Sequence, residues 1–251
     1  MAMDWDFSGL GFKRGEVAVV TGAANGIGKA TALMLARAGV TIAAWDIEDK
    51  PLKALVGEIE ALGAPVHPII ADISEQAAID DAWRQTLAIG GPVKYLVNNA
   101  GPASTTPLSV AEGVRIAVGS YSAVSNGFFA SAGGAAASMT FTASVAGNSV
   151  AGGTTDWYPA AKAGVAGLMR HLAVKMRGKP RSNGVAPGSI NTRRTAAAQQ
   201  MPAMQAAFAA SPLGRIGEPE EVAATICFLL SPAASYINGQ LIAVDGASHW
   251  G

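Results

Sequence analysis

Glu16-Val17-Ala18-Val19-Val20-Thr21-Gly22-Ala23-Ala24-Asn25-Gly26-Ile27-Gly28-Lys29-Ala30-Thr31 decides how the rest of the chain is read. Glu16 to Val20 is a short apolar run that predicts a buried strand, and Lys29 to Ala38 predicts a helix stopped by Gly39. Between them Gly22, Gly26 and Gly28 are spaced Gly-x-x-x-Gly-x-Gly, not the usual Gly-x-Gly-x-x-Gly. Glycines let the backbone turn tightly and approach an anion. A helix N-terminus adds free N–H groups and a positive dipole end. A purely structural turn is the plain alternative, but the strand–turn–helix context favours a dinucleotide pyrophosphate.

Outward from that unit the pattern repeats. Strands are expected at Val40 to Trp45, Pro65 to Ala71 and Val93 to Val97, with helices at Pro51 to Leu62 and Glu75 to Ala88. Further strands are expected at Ala137–Ala143, Arg181–Val185 and Gln240–Val244. Buried strands alternating with amphipathic helices predict an α/β, doubly wound parallel sheet covered on both faces. No linker or solenoid-length repeat divides the 251 residues, so one domain over residues 1–251 is expected.

Composition narrows the function. Formal net charge is zero and no basic tract occurs, which argues against nucleic acid. No apolar run reaches the ~18–20 residues that span a bilayer. Met1 to Asp6 is acidic and lacks the apolar core of a signal peptide. Cys227 is the single cysteine and lies in an apolar run, so a buried inert thiol is expected. The absence of a disulfide framework suits a reducing cytoplasm. His67, His171 and His249 are too scattered to predict a metal site. His249 and Trp250, at the extreme C-terminus, are either frayed or docked on a neighbouring subunit near its site, and docking is favoured because a bare exposed Trp is costly.

Asp46 stands eighteen positions after Gly28, at the end of the second strand. A carboxylate there accepts hydrogen bonds from ribose hydroxyls and repels a 2′-phosphate. No Arg or Lys occupies the turn before Gly28 or directly follows Asp46, which favours NAD over NADP. A helix N-cap is the alternative role for Asp46. Asp72 suits an adenine amino group or an N-cap.

Tyr158 and Lys162 are four residues apart, about one helical turn, so they share a face. A phenol beside an ammonium is an acid that can be tuned toward neutral pH. Pro159 suits a first helical turn and puts Tyr158 at the helix mouth. Ser144, fourteen positions before Tyr158, can hold a substrate oxygen or simply bond its own backbone.

These pieces, in order, are Thr21 to Gly28, Asp72-Ile73, Asn98-Asn99-Ala100-Gly101, Ser144, Tyr158-x-x-x-Lys162, Pro187-Gly188 with Thr192, and Gly239-Gln240 through Asp245-Gly246. The chain from Gly15 to Gly246 resembles the classical short-chain dehydrogenase/reductase family. The resemblance implies one Rossmann-type domain with a seven-stranded parallel sheet. It also implies a homo-oligomer, tetramer or dimer, built from the long helices and the last strand. It implies contacts to NAD from Gly22, Asn25, Gly26, Ile27, Gly28, Asp46, Ile47, Asp72, Ile73, Asn99, Ala100 and Gly101. Pro187, Gly188, Ile190 and Thr192 would line the nicotinamide half. Tyr158 would be the acid/base, Lys162 would tune it and hold ribose, and Ser144 would orient the substrate. The expected reaction interconverts a secondary alcohol and a ketone.

One departure stands out. The family pattern Val-Asn-x-x-Gly, whose Asn supports a water behind the lysine, is absent. Gly119 or Ser120 occupies that position, and Ser120 or Ser122 could hold the water instead. The expected substrate pocket is lined mostly by apolar, small residues. Pro102, Ala103, Ser104, Val145, Ala146, Gly147 and Ser149 flank it, with bulk from Trp157 and Met201 or Met204. No cation stands out as an anion clamp, although Arg193 and Arg194 lie close in sequence. A neutral substrate is therefore favoured. Residues 192–212, with an Ala-rich helix from Met201 to Ala210, could cover the site or be an ordinary surface segment. Two rivals remain: a non-catalytic dinucleotide-binding sensor or scaffold, and lyase or dehalogenase chemistry. The latter would expect a spoiled glycine turn and often Arg in place of Lys162.

Overall fold

Five of the seven strands are buried along nearly their whole length because both of their faces find cover, and the two edge strands are partly exposed. The computed structural model describes residues 7–131, 136–149 and 154–248; His249 and Trp250 lie outside them. The strands are β1 (Val17–Thr21), β2 (Thr41–Asp46), β3 (Val66–Ile70), β4 (Val93–Asn98), β5 (Ser138–Thr142), β6 (Arg181–Pro187) and β7 (Leu241–Val244). They form one parallel sheet in the order β3-β2-β1-β4-β5-β6-β7. The chain reverses its winding between β1 and β4, so a crevice opens beyond the carboxyl ends of those two strands.

Helices cover both sides. Helices α1 (Gly26–Arg37) and α2 (Asp49–Glu60) follow β1 and β2, and α3 (Gln76–Ala88) follows β3. After β4 a helical path runs through α4 (Val110–Val114), a π-helical stretch at Arg115–Gly119 and α5 (Ser120–Ser131). Helix α6 (Trp157–Lys175) follows β5. Short helices α7 (Ala196–Gln199) and α8 (Pro202–Ala210) and the long α9 (Pro219–Leu230) lie between β6 and β7.

One core joins Ala18, Val20, Ile42 and Ala44 of the strands to Leu35 of α1, Leu52 and Leu55 of α2 and Ile226 and Leu230 of α9. The opposite core joins Val19, Trp45, Leu96 and Phe141 to Trp83 of α3, Tyr121 and Phe128 of α5 and Val165 of α6. Alternate residues of β1 thus feed opposite layers, as the strand period requires. His67 and Pro68 are exposed on β3, an edge strand whose one free side tolerates a proline.

The expected strands and helices are found with ends shifted by up to three residues, the largest shift being at α1, which starts at Gly26 and not Lys29. The π-helical stretch was not expected; it widens the helix at the position where the family's Asn would stand. Cys227 is buried, and burial pushes its thiol pKa up. Among the described residues no cluster of His, Cys, Asp and Glu could hold a metal, and no helix is long and apolar enough to cross a membrane.

Candidate active site

The sequence turns from β1 into α1 with almost no spare room. A Cβ on Gly28 would lie 2.0 Å from the Gly22 carbonyl oxygen and 2.7 Å from Asn99 Nδ2, so only glycine lets the turn fold against β4. Helix α1 begins at Gly26 with no side-chain cap; Asn25 instead donates to Glu48 Oε2 at 3.0 Å. The first N–H groups of α1 are therefore left for an anion in the crevice.

Asp46 closes the next edge. Its Oδ2 accepts from Ala24 N at 2.9 Å and its Oδ1 from Glu48 N at 2.9 Å. It braces the glycine turn rather than capping α2, whose N-cap is Glu48. Asp72 accepts from Ser74 N at 2.9 Å, while Glu75 is the N-cap of α3. The N-cap alternatives for both aspartates are set aside, and both carboxylates keep lone pairs toward the crevice.

A chain of hydrogen bonds links the turn to Lys162. Asn99 Nδ2 donates to the carbonyls of Thr21 at 3.1 Å and Gly22 at 3.3 Å. Its Oδ1 accepts from Thr142 Oγ1 at 3.3 Å, and Lys162 Nζ donates to the Thr142 carbonyl at 2.8 Å. Tyr158 is the second residue of α6, so Pro159 falls in the first turn as expected. The Lys162 ammonium sits 5.7 Å from the Tyr158 ring centroid and 5.9 Å from that of Tyr121. Burial, with Arg194 repelling it, pushes the Lys162 pKa down to about 7. Tyr121 is fully buried, its hydroxyl has no partner among the described residues, and burial pushes its pKa up.

Ser144 ends the turn after β5. Its Oγ accepts from Ala146 N at 3.2 Å, so it does bond its own backbone while also facing the crevice. The short turn it opens, Val145–Gly147, is pressed onto α6: a Cβ on Gly147 would lie 2.6 Å from Ala163 N and 2.7 Å from the Lys162 carbonyl carbon. That contact holds Ser144 against the Tyr158 and Lys162 face of the helix.

A cavity of about 530 Å³ runs along the crevice. It is lined by Gly22, Asn25, Gly26, Ile27, Asp46, Ile47, Asp72, Ile73, Asn99, Ala100, Gly101, Ser144, Tyr158, Lys162, Pro187, Gly188, Ile190 and Thr192. Of the expected site residues only Gly28 does not line it, acting through its missing side chain.

Other expectations are corrected. Trp157 is buried in the core and donates Nε1 to the Thr106 carbonyl at 2.8 Å, so it gives no bulk to the pocket. Neither Met201 nor Met204 lines the cavity, nor do Val145, Ala146, Gly147 and Ser149, whereas Pro102, Ala103 and Ser104 do. Neither Ser120 nor Ser122 lines it; Ile116 is the residue that this helix contributes. Helix α8 has no buried residue, and among the described side chains of 192–212 only those of residues 192 to 195 reach the cavity.

The sequence reading missed Glu48, Thr142 and the full part played by Arg193 and Arg194. Arg193 Nη2 pairs with Glu48 at 2.6 and 2.7 Å, bridging the segment after β6 to the end of β2. That pairing holds the Glu48 carboxyl below the usual carboxylate range. Arg194 donates to the carbonyls of Gly101 at 3.1 Å and Pro102 at 3.0 Å. Proximity to Thr192 was the one signal for either arginine.

A doubly wound parallel sheet, an uncapped glycine turn and a Tyr/Lys pair at the same crevice define an oxidoreductase of the nicotinamide-dinucleotide class. The chain belongs to the classical short-chain dehydrogenase/reductase family. Residues 22–249 match a family model described as enoyl-(acyl carrier protein) reductase. The chain is 36% identical over 250 residues to the 3-oxoacyl-(acyl-carrier-protein) reductase FabG of Thermotoga maritima, covering 92% of this chain and 97% of that one. It is 35% identical over 250 residues to the cyclohexanol dehydrogenase of an Acinetobacter species, covering 92% and 94%. A solved 7α-hydroxysteroid dehydrogenase, complexed with NADH and 7-oxo glycochenodeoxycholic acid, superposes with a TM-score of 0.87 at 27% identity, covering 97% of each chain.

Proposed function

We propose that this protein is an NAD(H)-dependent oxidoreductase that interconverts a secondary alcohol and a ketone. The observation that carries the reading is that Ser144, from the turn after β5, and Tyr158 and Lys162, from α6, face one cavity with the uncapped start of α1 and with Asp46. The N–H groups of α1 would hold the pyrophosphate. Asp46 would accept from the adenosine ribose, Asp72 would face the adenine, and Lys162 would hold the nicotinamide ribose. Pro187, Gly188, Ile190 and Thr192 would line the nicotinamide ring.

The bound cofactor supplies the hydride donor or acceptor. Tyr158 handles the proton: its oxygen takes the hydroxyl proton as the alcohol C–H hydride departs and the C=O bond forms, and gives it back in reduction. Ser144 Oγ holds the substrate oxygen beside that phenol. Lys162, fixed by the Thr142 carbonyl, stabilises the phenolate when it carries its proton. Support for NAD over NADP comes from the Asp46 carboxylate and from Arg193, the cation nearest it in the cavity, whose guanidinium is committed to Glu48.

The test is a panel of secondary alcohols and ketones assayed with NAD(H) and NADP(H) side by side, with Tyr158→Phe as control. Turnover with NAD(H) that falls by about 10²-fold or more in the variant supports the reading. Turnover with NADP(H) alone refutes the cofactor assignment. NADH binding without turnover of any member favours the non-catalytic sensor.

A further inference from the structure

The cavity is charged unevenly along its length. Its acids, Asp46, Glu48 and Asp72, all lie near the ends of β2 and β3, and Arg193 is neutralised there by Glu48. The catalytic end carries Lys162 and Arg194 and no carboxylate. Arg194 is held only by neutral acceptors, the carbonyls of Gly101 and Pro102, and it pairs with no carboxylate among the described residues. A guanidinium has five N–H donors in a flat fork. Those that the two carbonyls leave free match the two oxygens of a carboxylate or phosphate.

Arg194 is also fixed relative to Tyr158. The segment that holds it continues to Ser104, whose carbonyl accepts from Thr155 Oγ1 at 2.8 Å and Thr155 N at 3.3 Å. Two residues on, the Thr106 carbonyl accepts from Trp157 Nε1, immediately before Tyr158. The guanidinium, the wall 101–106 and the start of α6 are thus one braced unit. The field of Arg194 reaches the Lys162 ammonium and works against its charge. An anion bound at Arg194 would cancel that repulsion and favour the protonated lysine that Tyr158 needs.

We propose that Arg194 receives an anionic group of the substrate, so that the natural substrate is a hydroxy or keto compound carrying a carboxylate or a phosphate, not a neutral ketone. This assignment rests on the hydride-transfer reading of the same site, and it reverses the neutral substrate that the sequence favoured.

The experiment compares keto carboxylates, with the carbonyl one to four carbons from the carboxylate, against their methyl esters, and hydroxyacetone phosphate against hydroxyacetone, all with NADH. Wild type is expected to prefer an anionic member by about 10-fold or more in kcat/KM. Arg194→Gln should erase that preference, mainly through KM, and Arg194→Lys should keep part of it. The NADH Kd, read by fluorescence, should move less than about 3-fold in Arg194→Gln, with thermal melting as the check on folding. Which anion is preferred tells carboxylate from phosphate. Equal turnover of anion and ester by wild type overturns the proposal. So does an NADH Kd that weakens in Arg194→Gln as much as substrate KM does, because Arg194 would then serve the cofactor. If wild type binds NADH but reduces nothing, the hydride-transfer reading fails on its own. The anion site is then read by titrating the same carboxylates and phosphate into the NADH complex: binding that Arg194→Gln abolishes upholds it, and no binding overturns it.

Discussion

Lys162→Met should make the cofactor-free protein more stable at acidic pH and lose that advantage as pH rises. The lysine pKa falls from its ordinary 10.5 to about 7, with burial the first cause and Arg194 the second. At about 1.4 kcal/mol per pH unit this amounts to about 5 kcal/mol of penalty for the protonated form. Lys162 is only partly buried along the cavity wall, and water there screens it; discounting for that leaves about 2–3 kcal/mol. The sign follows from proton counting. Below pH 7 both folded and unfolded chains hold the proton, and the full penalty stands. Between 7 and 10.5 the unfolded chain binds more protons than the folded one, so wild-type stability rises with pH. Above that window the penalty is gone. Stability linked to this group is therefore present above the unfolded pKa and lost as pH falls through the folded one.

Methionine also removes the bond to the Thr142 carbonyl, a loss of about 1–3 kcal/mol that can hide the gain at any single pH. The change with pH is immune to that constant term. Urea denaturation of wild type and Lys162→Met at pH 6 and pH 9.5, without cofactor, should give a stability difference that favours the variant by about 2 kcal/mol more at pH 6. A difference that is flat with pH, or that grows in the variant's favour toward pH 9.5, would refute a buried, destabilised ammonium at this position.

Three further outcomes are expected. Asp46→Asn keeps the shape of the brace to Ala24 but weakens charge-assisted acceptance, so NADH Kd should rise by about 10-fold or more while NADPH binding improves relative to NADH, as read by fluorescence titration. Gly28→Ala forces a methyl to 2.0 Å from the Gly22 carbonyl; opening the turn should cost about 1–3 kcal/mol in urea denaturation and lower NADH affinity by about 10²-fold or more. Ser120→Ala and Ser122→Ala should leave the pH profile of kcat in place; a shifted profile would show a serine-held water behind Lys162.

What the sequence made legible follows the range of the forces involved. Val17 to Val20 can be read as a strand because its burial on both faces is written in four consecutive residues, and Gly39 stops α1 by its own conformational freedom. Asp46 and Ser144 were equally legible, since they follow where an apolar run stops, whereas Asn99 and Pro187 came with the family resemblance. Trp157 was misread because its direction depends on the Thr106 carbonyl, 51 residues away. The arginines escaped for the same reason: Arg193 is oriented by Glu48 across 145 positions and Arg194 by Gly101 across 93. Their segment belongs to no strand, so no local periodicity announces where those side chains go. The π-helical stretch at Arg115–Gly119 likewise has no sequence period of its own; its backbone is held by packing on α6.

The same long-range contacts explain why this crevice works as one unit. Thr21 Oγ1 accepts from Asn99 N and Ala100 N and donates to the Val97 carbonyl, binding the ends of β1 and β4. Asn99 passes that constraint to Thr142 at the end of β5, and Thr142 passes it to Lys162 on α6. Each link uses a group that would otherwise be an unsatisfied buried donor or acceptor, so breaking one leaves its neighbours exposed to a desolvation cost of about 1–3 kcal/mol. The parallel sheet gathers these strand ends at the winding reversal, and the hydrogen bonds then fix the lysine relative to the glycine turn. A substitution at Asn99 should therefore disturb cofactor affinity and the lysine's ionisation together, whereas one at Arg194 should act on the substrate side and relieve the repulsion on Lys162 while leaving cofactor affinity in place.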